Sequence, residues 1–95
     1  MEYVLFIHNN VDENTTEEQW NLFFSEANKS GMFLGGSEIS SQLQIGLKPV
    51  NKITNSIAGF MRFESEDKNK LLALLENHPV SLQGGSLELC EMPKS

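Results

Sequence analysis

The sequence is poor in cysteine, in basic residues and in long apolar runs. Cys90 is the single cysteine among 95 residues, so neither an internal disulfide nor a multi-thiolate metal site can form. The chain has seven lysine and arginine residues and thirteen acidic residues, which gives a net charge of −6. Because no basic stripe is available to neutralise phosphates, nucleic-acid binding is not expected, and an acidic membrane surface would repel the chain.

Segments that would direct the chain out of a reducing compartment are also missing. The longest apolar run is far shorter than the ~20 residues of a membrane span. The N-terminus leads into a strand-like segment without the basic region of a secretion signal. These features predict a cytoplasmic protein. No cofactor is expected, because the two histidines lie far apart and neither glycine pair has the Lys-Ser/Thr ending of a phosphate loop.

Strand and helix patterns alternate along the chain in the order β-α-β-β-α-β. The predicted strands cover residues 3–8, 32–34 with a continuation to 45, 57–64 and 86–92, and the predicted helices cover residues 16–30 and 66–78. This order predicts an α+β protein with a ferredoxin-like fold, in which a four-stranded antiparallel sheet carries both helices on one face. The length predicts a single domain over residues 1–95.

Local signals set the expected ends of these elements. Thr15 and Glu18 have the spacing of a capping box, and Gly31 stands where a left-handed C-cap belongs. Ser65 is the expected N-cap of the second helix, and Pro79 is expected to end it. The pair Gly35-Gly36 predicts a bulge or a close backbone approach, and residues 46–55 read as a loop. The helical stripe predicted to be core consists of Trp20, Phe23, Phe24 and Ala27.

The alternation within the strands separates two faces of the sheet. The purely apolar sets, such as Tyr3, Leu5 and Ile7, are expected beneath the helices. The other face, called here the open face, carries Phe6, His8, Phe60, Arg62, Glu64, Glu88, Cys90 and Met92. Because exposed phenylalanine and methionine are expected to find a cover, we predict that a second copy covers this face and encloses a small-molecule cavity. In the alternative interpretation the charges are cross-strand pairs on a solvated face.

Three residues have side chains capable of chemistry. His78 lies between a helix and a strand and is either a general base at a cleft or a helix C-terminal residue whose charged form favours the helix dipole. His8 ends the first strand, where it would reach the cavity, although an ordinary surface position is the favoured interpretation. Cys90 is predicted to be a small buried hydrophobe rather than a nucleophile.

Short motifs occur in order along the chain. They are Met1-Glu2-Tyr3-Val4-Leu5-Phe6-Ile7, Gly35-Gly36, Ile57-Ala58-Gly59-Phe60, Glu66-Asp67, His78-Pro79 and Gly84-Gly85-Ser86-Leu87-Glu88. In order and spacing they resemble the YCII-related family over nearly the whole chain. The resemblance implies a ferredoxin-like fold that dimerises into an α/β barrel with clefts at the interface, and a biochemical role that is largely unassigned.

The chain departs from two patterns of that family. In some members a histidine and an aspartate are proposed as an active-site pair, and others carry Asp-Gly-Pro-Phe ahead of the third strand. Here the first helix contains no histidine, and Lys52-Ile53-Thr54-Asn55-Ser56 precedes the third strand. The His-Pro pair and the glycines are the positions that match residue by residue.

The leading hypothesis is therefore a homodimer that binds a small organic molecule in a cavity at the dimer interface. The predicted ligand-binding residues are His78, His8, Phe60, Arg62, Glu64 and Glu88, and His78 is the candidate for a catalytic role. A close variant is an enzyme that uses this cavity without a cofactor for lyase, isomerase or hydrolase chemistry. The alternative from another class is a non-catalytic interaction or structural subunit whose open face docks a different protein.

Overall fold

A four-stranded antiparallel sheet with helices on one face forms the protein, as a computed structural model shows. It describes residues 1–93, without the side chains of residues 52 and 53. The elements are β1 (Glu2–His8), α1 (Glu17–Ser30), β2 (Phe33–Glu38), a 3-10 helix (Lys52–Ser56), β3 (Ile57–Glu64), α2 (Lys68–Leu75), α3 (Pro79–Leu82) and β4 (Leu87–Met92). The strand order is β2-β3-β1-β4, and every pairing is antiparallel. The predicted α+β class and ferredoxin-like fold are confirmed.

The two faces of the sheet separate as the alternation predicts. The side chains of Tyr3, Leu5, Ile7, Met61 and Phe63 point towards the helices and are at most 7% exposed. They form one core cluster with buried residues of the helices, namely Phe23, Ala27, Leu71, Leu75 and Val80. Since residues of α1 and of α2 join the same cluster, both helices cover the same face of the sheet. The open face is left without a helical layer.

The first helix begins one residue later than its capping box predicts. The Thr16 hydroxyl accepts from the Gln19 backbone N–H, and the Gln19 side chain accepts from the Thr16 backbone N–H. Thr15 was the wrong N-cap because its hydroxyl accepts a hydrogen bond from the Trp20 indole at 2.9 Å. The helix ends at Gly31, whose φ of 75° lies in the left-handed region, as predicted.

The second helical region differs from the prediction at both ends. Asp67 caps α2, accepting from the N–H groups of residues 69 and 70, whereas Ser65 lies before the helix and bonds to the Asp67 backbone. Pro79 begins a helix instead of ending one, because a proline at the first helical position loses no intrahelical bond. His78 is therefore the N-cap of α3, three residues beyond the end of α2.

The second strand is shorter than predicted. The bulge at the glycine pair is confirmed, as the β2–β3 register shifts between Phe33 and Gly35. The continuation to Ile45 is wrong, because β3 begins at Ile57 and Glu38 already pairs with Gly59, so β3 has two residues left; the Ile39 N–H donates to one of them, at the Ala58 carbonyl. Residues 39–50, called here the arm, run outside the sheet. The loop predicted for residues 46–55 holds the 3-10 helix at its end.

Candidate functional site

A groove of about 690 Å³ lies beside the sheet, on its helix-facing side. Its walls come from α1 and from the neighbouring strands β2 and β3, and it extends to residues that follow β1 and β2. Residues of β3 form part of its floor. Gly59 is a helix-facing position of β3, and its partner across the β2–β3 pairing is Glu38. A Cβ atom at Gly59 would lie 2.7 Å from the Ser37 carbonyl oxygen, so the missing side chain lets the backbone of β2 approach closely there.

Three aromatic rings form the apolar wall. The Trp20 and Phe24 rings stack with their centroids 5.7 Å apart, and Phe24 lies 6.0 Å from Phe33. The hydrogen bond from the Trp20 indole to Thr15 fixes the orientation of the ring. Trp20 and Phe24 were predicted as core, but they are partly exposed, and Phe23 and Ala27 occupy the core positions of the stripe. An aromatic wall of this kind suits a flat apolar molecule.

A polar rim closes the groove at the end of the sheet. The side chains on this rim are Asn9, Glu38, Gln42 and Asn55, together with two serines of residues 37–40. Gln42 donates to the Thr54 carbonyl at 2.6 Å, which ties the beginning of the arm to the 3-10 helix. Glu38 is the one charged residue among the described residues that line the groove. The rim therefore offers amide groups, hydroxyls and a single negative charge.

His78 lies behind the aromatic wall and has no exposed surface. Its Nδ1 accepts from the Val80 N–H at 3.1 Å, and its ring packs against Trp20 at 4.9 Å and Phe23 at 4.7 Å between centroids. Burial lowers the pKa of His78 from 6.5 to about 4, since a charged imidazole loses its hydration there. The interpretation as a charged residue at a helix C-terminus is therefore wrong. Among the described residues, His78 Nε2 has no hydrogen-bond partner.

The open face brings other predicted residues together. His8 forms hydrogen bonds with Glu88 and with Ser56, and Arg62 forms an ion pair with Glu2 at 2.9 Å. His8 is 9% exposed, so the expectation of an ordinary surface position is wrong. Cys90 is exposed, which corrects its prediction as a buried hydrophobe, because the helices cover the opposite face.

The remaining predicted residues divide between the two sides of the sheet. Phe60 is half-buried on the open face, where it pairs with Phe6, and it also borders the groove, whereas Glu64 is exposed on the same face at the end of β3. His78 is separated from the open-face residues, because its ring packs against α1 on the helix-facing side. The six predicted ligand-binding residues therefore do not converge on one site within a single chain.

Comparisons with known proteins give little further information. No family model matches the chain, and no curated protein matches it either. Among solved structures it is similar to the 5-chloro-2-hydroxyhydroquinone dehydrochlorinase of Burkholderia phenoliruptrix AC1100 in complex with 2,5-dihydroxybenzoquinone. The identity is 11% and the TM-score 0.49, over 100% of this chain and 96% of that chain. At this level the similarity carries no argument about function, and membership of the YCII-related family stays a prediction.

The length and apolar character of the helices also bear on whether one could cross a membrane. In residues 1–93, no helix combines the length and the apolar character that crossing a bilayer requires.

Proposed function

We propose that the protein binds a small, flat organic molecule in the groove, as a YCII-related small-molecule-binding protein. The observation that carries this proposal is the aromatic wall of Trp20, Phe24 and Phe33 in a groove that is also lined by the β3 residues Ile57 and Met61. Ligand sites of proteins combine an apolar lining of this type with a few polar groups that fix orientation. The polar rim at one end of the groove supplies those groups.

The charge of the rim narrows the ligand class. Glu38 is a hydrogen-bond acceptor, and the described lining residues include no lysine or arginine that would balance a carboxylate on the ligand. A ligand carboxylate near Glu38 would be repelled and would also lose hydration. We therefore propose a neutral or cationic aromatic molecule that bears a hydroxyl or amino donor.

Fluorescence of Trp20 tests this proposal directly, because it is the single tryptophan and lines the groove. 4-Nitrobenzyl alcohol is expected to quench its emission saturably, whereas 4-nitrobenzoate, with the same ring and a carboxylate, binds at least tenfold more weakly. A Phe24→Ala variant is expected to weaken binding of the alcohol about tenfold, because one aromatic contact is lost.

Two variants serve as controls for this titration. Leu22→Ala changes an exposed residue of the same helix outside the groove and is expected to leave the quenching curve unchanged. Glu38→Gln is expected to reduce the difference in binding affinity between the alcohol and the benzoate, because the negative charge of the rim is removed. Linear, unsaturable quenching of the parent by both compounds would contradict the proposed site.

We further propose that the protein acts as a homodimer through the open face and the arm. The arm carries four large apolar side chains that are between 62% and 103% exposed, namely Leu43, Ile45, Leu47 and Val50. Apolar side chains at this exposure are typical of a surface that binds a partner. The arm also carries Lys48 and no acidic residue, whereas exposed Glu64 and Glu88 lie on the open face. The two surfaces are complementary in charge.

The dimer and the groove are connected in this proposal. Ile39, Ser40 and Gln42 line the groove, and the chain continues from them into the exposed part of the arm. A second copy that covers the arm would extend the wall of the groove. The ligand site would then be a cavity at the dimer interface, with the predicted residues His8, Arg62 and Glu64 in the contact between subunits.

Light scattering coupled to size-exclusion chromatography measures the oligomeric state. The parent is expected to elute as a dimer at micromolar concentration, and a Leu43→Ser/Ile45→Ser variant is expected to raise the dissociation constant at least a hundredfold, because four apolar side chains per dimer lose their cover. The matched control, Leu22→Ser/Leu72→Ser, changes two exposed leucines of the helices and should stay dimeric. A monomeric parent would refute the dimer and favour the alternative, in which the open face docks a different protein.

A further inference from the structure

A histidine forms hydrogen bonds with a serine and with a glutamate, and the three residues come from three separate segments of the chain. His8 is the last residue of β1, Ser56 is the last residue of the 3-10 helix, and Glu88 belongs to β4. His8 Nδ1 and Ser56 Oγ are 2.9 Å apart, and His8 Nε2 is in hydrogen-bond contact with a Glu88 carboxylate oxygen. The hydrogen bonds among these three residues, called here the His8 cluster, have no role in the groove binding or in the dimer described above, although His8 and Glu88 lie on the proposed dimer face.

The backbone holds the cluster in place. The His8 N–H donates to the Ser86 carbonyl at 3.1 Å, and the Asn9 N–H donates to the Ser56 carbonyl at 2.8 Å. The β1–β3 register shifts between Ile7 and His8, which turns the end of β1 towards the 3-10 helix. Each of the three side chains therefore projects from a hydrogen-bonded segment, as a preorganised site requires.

The hydrogen bonds also determine which nitrogen of the neutral imidazole carries the proton. A Glu88 carboxylate only accepts hydrogen bonds, so His8 Nε2 donates to it. In the neutral imidazole His8 Nδ1 is then unprotonated and is placed to accept from the Ser56 hydroxyl, 2.9 Å away. A hydroxyl, a base that receives its proton, and a carboxylate that orients the base are the three parts of an activated serine nucleophile. In serine proteases Nε2 contacts the serine and Nδ1 contacts the carboxylate, whereas here Nδ1 contacts Ser56 and Nε2 contacts Glu88.

Access to the cluster is from the groove at the end of the sheet, because the second copy proposed above covers the open face. His8 is buried and Ser56 is half-buried, whereas the Glu88 side chain is 60% exposed. The residues on either side of Ser56, Asn55 and Ile57, line the rim of the groove. A small acyl group approaching this end of the sheet would meet the serine oxygen beside an apolar surface. A carboxylate on that molecule would be repelled by Glu88.

We propose that Ser56 is a nucleophile towards small neutral esters with a good leaving group, with His8 as general base and Glu88 as the residue that orients His8. Ser56 Oγ forms a bond to the carbonyl carbon while its proton passes to His8 Nδ1. The ester C–O bond then breaks, and the proton passes from Nδ1 to the departing alkoxide, which leaves as an alcohol. Water attacks the acyl-serine in the same way, giving a carboxylic acid and restoring the Ser56 hydroxyl.

4-Nitrophenyl acetate tests the proposal on the 95-residue chain, independently of any groove ligand. We expect a burst of 4-nitrophenolate and acetylation of the peptide that contains Ser56, identified by mass spectrometry. Ser56→Ala should abolish both, and Ser25→Ala, at an exposed position of α1, should change neither. His8→Gln should slow acetylation about a hundredfold, which is the usual contribution of a general base.

Glu88 is tested as a positioning residue. Glu88→Gln should slow acetylation of Ser56 at least tenfold while the substrate concentration for half-maximal rate stays within about twofold, and Glu88→Asp should restore part of the rate. Far-UV circular dichroism and thermal melting confirm that each variant is folded. Acetylation confined to lysines, or an equal rate for the parent and folded Glu88→Gln, would overturn the proposal and leave the cluster a structural link between strands.

Discussion

Between pH 7 and pH 4, the free energy of unfolding of the parent is expected to fall by about 3 kcal/mol more than that of a His78→Asn variant. The folded state keeps His78 neutral down to about pH 4, because burial lowers its pKa from 6.5 to about 4. In the unfolded chain the same imidazole takes up a proton near pH 6.5. Between these two values the unfolded state binds more protons.

The sign of the pH effect follows from this difference. Unfolding becomes more favourable by about 1.4 kcal/mol for each pH unit between 6.5 and 4. The contribution of neutral His78 to the free energy of unfolding is fully present above pH 6.5 and is lost as the pH falls towards 4. Below pH 4, His78 causes no further loss of stability. Protonating carboxylates add their own pH dependence, so the comparison with a variant isolates the histidine.

His78→Asn is the suitable variant because asparagine is a good N-cap and can still accept from the Val80 N–H. It loses ring contacts with Trp20 and Phe23, so it should be less stable at pH 7 but nearly free of the histidine's pH dependence. Urea unfolding followed by circular dichroism at pH 7, 6, 5 and 4 gives both curves. His8→Asn, at the second histidine, should retain the His78 contribution. Parallel curves for the parent and His78→Asn would show that this histidine is not held neutral.

Replacing Gly36 by alanine is expected to lower the free energy of unfolding by about 3 kcal/mol. A Cβ atom at this position would overlap the Phe60 carbonyl oxygen and would lie 2.9 Å from Met61 Cα, both backbone atoms of β3. Backbone of a paired strand cannot move aside as a flexible side chain does. The edge strand β2 would therefore have to shift or separate from β3, its single neighbour in the sheet.

The same substitution should also affect the groove, because β2 supplies part of its wall. Urea unfolding measures the loss of stability, and amide hydrogen exchange should show faster exchange in β2 than in β1 or β4. Ser37→Ala is the matched control, since it changes the next, exposed residue of the same strand and should alter stability by no more than about 0.5 kcal/mol. Equal stability of the two variants would mean that β2 accommodates a side chain at residue 36.

Patterns within single segments were sufficient to predict the strands of the sheet and the face of each strand that is buried. The alternate positions Tyr3, Leu5 and Ile7 are all apolar and form the buried side of β1, because successive strand residues point to opposite faces. The order of strand and helix patterns predicted the ferredoxin-like arrangement in the same way. Gly31 is another local signal, because a helix that ends in a left-handed residue favours glycine there independently of tertiary contacts.

The predicted site depended on contacts between segments, and here the sequence was insufficient. Thr15 and Thr16 are equally good caps by residue type, and the indole of Trp20 decides between them by bonding to Thr15. Pro79 is consistent with the end of one helix or the start of another. The glycine pair and Gly59 were visible signals, but only the pairing of β2 with β3 shows that the β2 backbone approaches Gly59 closely at the groove.

By itself, then, the sequence determined the order of strands and helices and the buried face of each strand, because these follow from the period of one segment. Tertiary structure alone decided that His78 is a buried neutral N-cap, that His8 meets Ser56 and Glu88, and that aromatic residues of α1 border a groove. Each of these facts joins residues that are distant in sequence. Their distances depend on strand register and helix placement, which no local pattern encodes.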